Sequence, residues 1–152
     1  MATRDSLADR VFPVFDHTHD ALTTGLVVGF AALLGLYTSW MVADFGGRFL
    51  GFAVAALASG YALYDQPDRR TVVAGGLYAL AVLLAFTPFL YELAFLVESG
   101  RAGVGSLWPH VLSVADLVLF VVFFALAAVP ALVAYRLGTG PFLPRIRARL
   151  GV

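Results

Sequence analysis

Four long apolar stretches, at 21–43, 49–64 (46–64 with Gly46, Gly47 and Arg48), 71–97 and 107–135, follow one another along the chain, and short polar segments separate them. Within them polar residues do not alternate with apolar ones. The run Leu117-Val118-Leu119-Phe120-Val121-Val122-Phe123-Phe124 has no period of two, which excludes the strands of a transmembrane barrel. A hydrocarbon core about 30 Å thick needs roughly 20 helical residues per crossing, so each stretch predicts one transmembrane helix. The second is the shortest. It reaches spanning length only if Gly46 and Gly47 join it and Arg48 extends outward along its own aliphatic stem.

The separators predict how the helices connect. Asp44-Phe45-Gly46-Gly47-Arg48 is a tight turn whose glycines accept positive φ, so the first two helices form a hairpin. In Asp65-Gln66-Pro67-Asp68-Arg69-Arg70, Asp65 is the expected N-cap of the third helix, with Pro67 in the first turn and Asp68 completing a capping box. The glycine-rich segment 98–106 reads as a loop, and Ser106 before Leu107-Trp108-Pro109 as the start of the fourth helix. The expected fold is all-α: a polytopic integral membrane protein with four transmembrane helices in an up-down antiparallel bundle. Tails at 1–20, a candidate interfacial segment, and at 136–152 are too short to bury a core of their own.

Composition removes the soluble alternative. With 61% hydrophobic and 13% charged residues in 152, a soluble domain of this size has too little polar surface to cover itself. All ten basic residues are arginine. Arg4, Arg10, Arg69, Arg70, Arg136, Arg145, Arg147 and Arg149 fall on one side of a four-crossing chain, and Arg48 and Arg101 on the other. The positive-inside rule then makes both termini cytoplasmic and the cell membrane the expected location. Arginine as the sole basic residue, with abundant Ala, Val, Gly and Leu, suggests a GC-rich prokaryotic source. The first apolar stretch is too long for a cleavable signal peptide and follows some twenty largely polar residues, so it is expected to remain as an anchor.

Gly47, Gly51, Ala55 and Ser59 recur every fourth residue along the second helix, and Gly25 with Gly29 offers the same spacing on the first. Small residues so spaced allow close helix packing, within one subunit or between copies. The acids are expected to turn inward, because a carboxylate facing lipid costs a few kcal/mol. Glu92 is expected about 9 Å below the outer end of the third helix and Asp116 about 12–15 Å below that of the fourth. Tyr37, Trp40, Asp44, Arg48, His110 and Ser113 fall in the same outer half. That level is either a proton or cation site or a buried polar network fixing helix register.

Other chemistries lack their residues. No cysteine is present for thiolate or disulfide chemistry. His17 and His19, with Asp16 and Asp20, have a metal-like spacing but lie in the tail without a third fixed histidine. Only His110 lies near a helix, so a bis-histidine haem has no ligand pair. No hydrolase, P-loop or dinucleotide motif occurs, and no cofactor, metal or nucleic-acid partner is expected. Arg145, Arg147 and Arg149 alternate with apolar residues and suit anionic lipid headgroups. The expected role is that of a non-catalytic accessory, scaffolding or assembly subunit in a homo-oligomer or larger membrane complex. The alternative is a small transporter or channel using Glu92 and Asp116.

Overall fold

The computed structural model describes residues 19–101 and 113–138. Among them are four α-helices and no strand: α1 (Ala21–Met41), α2 (Arg48–Tyr64), α3 (Arg69–Arg101) and α4 (Val114–Leu137). A 3-10 turn, Ala43–Phe45, follows α1 and closes on Gly46 in the left-handed region at φ 75°, which glycine adopts without a Cβ clash. Three helices, α1, α3 and α4, are long and apolar enough to cross a membrane, which points to a membrane protein. At 17 residues, or about 25 Å, α2 falls short of that length. Arg48 begins it, because Gly46 and Gly47 are used in the turn rather than in the helix.

Local capping moves the other boundaries. Asp65 ends α2 instead of starting α3. Asp68 takes the starting position: its carboxylate accepts from the Thr71 N–H at 2.8 Å, and its own N–H donates back to the Thr71 hydroxyl at 3.3 Å. That reciprocal pair satisfies two of the backbone donors a helix start leaves open. At its far end α3 continues through 98–101, where a loop was expected. Its 33 residues make it about 50 Å long. The largest shift is in α4. Ser113 is extended, at φ −61° and ψ 165°, and caps a helix that starts at Val114 rather than at 107.

Two pairings dominate the packing, α1 on α2 and α3 on α4, with α1 also lying against α3. Contact between α2 and α3 is thin, and α4 makes no comparable contact with α1 or α2. The helices therefore succeed one another as α2, α1, α3, α4. Val27, Leu63 and Val72 are buried where α1, α2 and α3 meet, with Leu26, Phe30 and Tyr64 against them. On α3 the small Gly76 lies under the ring of Phe30, too close to admit a Cβ. Between α3 and α4 the seam is aromatic: Phe89 meets Phe120 edge to face at 4.8 Å and Phe124 at 6.3 Å. Such edge-on contacts match the positive ring edge to the negative face.

The small-residue stripes divide. A Cβ on Gly51 would sit 2.5 Å from Val42, and one on Gly47 would sit 3.6 Å from it, so this part of α2 packs tightly on the end of α1. Ser59 bonds back to the Ala55 carbonyl of its own helix at 2.5 Å. Gly25 and Gly29 pack against nothing within 4 Å. The close approach on α1 is instead at Gly35, where a Cβ would lie 3.0 Å from both Ala56 and Phe52. The face of a helix that is covered depends on its rotation, which glycine spacing alone leaves open.

Candidate functional site

Charged residues in the described helices occupy two levels. From 21 to 43, 49 to 64, 71 to 91 and 117 to 135 there is none. One level is built around Asp20. Its carboxylate N-caps α1, accepts from the Thr23 N–H and hydroxyl, and pairs with Arg69 at the start of α3. The Arg69 Nε donates to the Thr23 hydroxyl at 3.3 Å, closing a triangle between the two helix starts. The Thr23 hydroxyl, then the Arg69 guanidinium, hold the Asp20 carboxyl down to about 2. Beside it the Thr71 N–H holds the Asp68 carboxyl below its ordinary value. His19 Nε2 donates to the Tyr64 carbonyl at 2.8 Å and stacks edge-on against the Tyr64 ring, tying α2 to the same level.

His19 and Asp20 are thus engaged with α2 and α3, and His17 and Asp16 lie outside the described residues. Among the described residues no group of three metal-ligating side chains assembles.

The second level gathers Asp44, Arg48, Glu92, Glu98 and Asp116. Asp116 is the third residue of α4 and closes a capping box with Ser113. Its carboxylate accepts from the Ser113 N–H at 2.7 Å and from the Ser113 hydroxyl at 2.6 Å. It therefore stands at the helix entrance, where an anion also meets the positive end of the helix dipole. The expected depth of 12–15 Å below the helix start does not exist, because that depth assumed a helix beginning at 107. Glu92 of α3 lies near Asp116 of α4, so the two carboxyl groups face one another across these helices.

The other members of the expected cluster do not bond to Glu92 or Asp116 among the described residues. Tyr37 pairs with Thr87 at 2.7 Å, and the Thr87 hydroxyl donates to the Leu83 carbonyl at 2.9 Å, so Tyr37 is the donor to Thr87. That chain lies one turn from Pro88, which has no N–H to offer the Leu84 carbonyl. Trp40 packs on Tyr37 with ring centres 5.7 Å apart and is largely exposed. Arg48 is exposed, and the ion pair found among the described residues is Asp20 with Arg69, so Arg48 neutralises neither acid. His110, Arg145, Arg147 and Arg149 lie outside the described residues.

Two adjoining clefts open at this second level, between the α1–α2 turn and α3. The larger, about 360 Å³, is lined by Asp44, Phe45, Tyr91, Phe95 and Glu98 among others. The smaller, about 160 Å³, shares Asp44 and Tyr91 and adds Trp40, Arg48 and Thr87. Tyr91 and Phe95 lie within the expected third helix, and Glu98 takes part because α3 continues helical past 97, a continuation that the glycine-rich composition after Glu98 hides. Ser-x-x-Asp at 113–116, by contrast, is a legible capping signal directly before an apolar run. Comparison with protein families, with curated proteins and with solved structures finds no match in any of the three.

Proposed function

We propose that the chain is a non-catalytic protein of the cell membrane that serves as an accessory, scaffolding or assembly subunit through helix contacts, in a homo-oligomer or a larger membrane complex. One observation carries this reading: α4 is apolar on all sides yet, among the described residues, packs chiefly on α3, with Val114, Val121 and Val129 among its exposed residues. A helix so held has most of its circumference available to lipid or to further helices. Asp20, Tyr37 and Asp116 are meanwhile engaged in capping and in joining helices.

The path inferred is up-down with four crossings and both termini cytoplasmic. Contact order supports it, since Gly51 meets Val42 while Gly60 meets Ala31, and Phe89 meets Phe120 while Ala74 approaches Gly138. Charge spacing supports α2 as the fourth crossing, because Arg48 and Asp65 end it at the same two levels that bound α1. The proximity of Glu92 to Asp116 favours a second reading, a proton- or cation-coupled transporter. The place of Asp116 in the first turn of α4, and of Glu92 just past the uncharged stretch 71–91 of α3, weighs against it.

The test combines size and flux on the full chain. In mild detergent, the subunit reading expects a particle larger than the monomer after crosslinking in native membranes. In reconstituted vesicles it expects no flux driven by a pH or cation gradient. A monomer throughout, with flux that Asp116→Asn abolishes while stability is kept, would replace this reading with transport.

A further inference from the structure

The clefts fall at the level where an outer polar cluster with Trp40, Asp44 and Arg48 was expected, but the larger one is walled by Phe45, Tyr91, Phe95 and Glu98, which that cluster did not include. Phe45 from the turn and Tyr91 and Phe95 from α3 supply three aromatic rings around the larger cleft, and Asp44 and Glu98 supply two carboxylates. Neither carboxylate enters an ion pair among the described residues. Its volume of about 360 Å³ falls within the range of small-molecule sites.

We propose that this cleft binds an amphiphilic organic cation, an alkylammonium group whose charge lies between Asp44 and Glu98 and whose apolar part rests on Phe45, Tyr91 and Phe95. Aromatic faces carry negative potential and attract ammonium groups, so rings and carboxylates act in the same direction here. A bare metal ion suits the cleft poorly, because it requires several oxygen or nitrogen ligands at short range and no group of three such side chains assembles among the described residues. The level also selects the ligand. Tyr91 is the last residue of the uncharged stretch of α3, and Glu98 lies about 10 Å further along the helix, so apolar and charged surfaces meet within one cleft. An amphiphile fits that boundary with its head on the acids and its tail toward the apolar slab.

Arg48 gives the inference a second, independent handle. It lines the smaller cleft beside Asp44 and opposes any incoming cation. Removing its charge should therefore tighten binding, whereas damage to the fold would weaken it.

The experiment measures binding of hexyltrimethylammonium to the full chain in phosphatidylglycerol nanodiscs by equilibrium dialysis, with hexanol as the uncharged control and empty nanodiscs as the partition blank. Saturable binding is expected for the cation and not for hexanol. Two exposed charge contacts together imply a loss of up to about tenfold in affinity for Asp44→Asn with Glu98→Gln. Tyr91→Leu should weaken binding by about threefold through loss of the ring face. Arg48→Gln should tighten it. Adding phosphatidylethanolamine separates the sources of the ligand chemistry: competition assigns the site to a lipid headgroup amine, and absence of competition assigns it to a soluble cation. Binding equal to the partition blank, or unchanged in the double variant, overturns the proposal. So does weaker binding by Arg48→Gln at unchanged helical content, a variant that removes no wall of the larger cleft.

Discussion

Replacing Ser113 by Ala removes the side chain that accepts from the Asp116 N–H, and the expected cost is about 1 kcal/mol of α4 stability. Asp116→Ala should lower the melting temperature as well, since it leaves the Ser113 N–H and hydroxyl without their shared acceptor. Asp116→Asn keeps an oxygen in place and should lose less. Thermal unfolding of the three variants in one detergent checks the order. Asp20 predicts a pH effect at the other end. Its carboxyl is depressed from 3.8 to about 2, so the stability it contributes is complete above about pH 4 and is lost as the pH falls through 2. The melting temperature of Asp20→Asn should consequently show a weaker pH dependence between 4 and 2 than that of the parent chain. At this scale the sequence was legible where a signal is local, as at Ser-x-x-Asp, and silent where it is tertiary. Nothing near Asp20 in the sequence points to Arg69, 49 residues away.

Helices pack where their backbones come close, and the glycines of α1, α2 and α3 predict different outcomes for the same substitution. Gly76→Ala drives a methyl group into the Phe30 ring and should cost about 1–3 kcal/mol, the usual range for overpacking. Gly51→Leu meets Val42 and the end of α1 and should separate the α1–α2 pair further. Gly25→Ala and Gly29→Ala meet nothing, and should be neutral or stabilise α1 by up to about 1 kcal/mol through helix propensity. Unfolding in mild detergent, read with helical content, separates these groups. Element identity was legible because four apolar runs of near-spanning length admit little besides helices. Element ends were less so. Asp65 and Asp68 are both suitable caps by residue type, and only the hydrogen bonds of Thr71 select Asp68.

At the scale of the whole molecule, the arginine distribution predicts which side each loop faces. The chain has no cysteine, so single cysteines at Ser106 and Thr139 are unambiguous reporters. On intact cells an impermeant thiol reagent should label the first and spare the second, and labelling of Thr139→Cys alone would invert the inferred orientation.

The two charged levels also act as a ruler. Between them α1 is itself about 32 Å long, close to the hydrocarbon thickness of an ordinary bilayer. Along α2, whose 17 residues run from Arg48 to Tyr64, the separation is nearer 25 Å, and that helix has no spare turn with which to lengthen. On the proposed four-crossing path, dimyristoyl lipid is the bilayer in which α2 would cross with its ends at the headgroups. In lipids with chains of twenty or more carbons, Arg48 and Asp65 must be drawn inward or the surrounding leaflet must thin, so retention should decline along a thickening series of membranes.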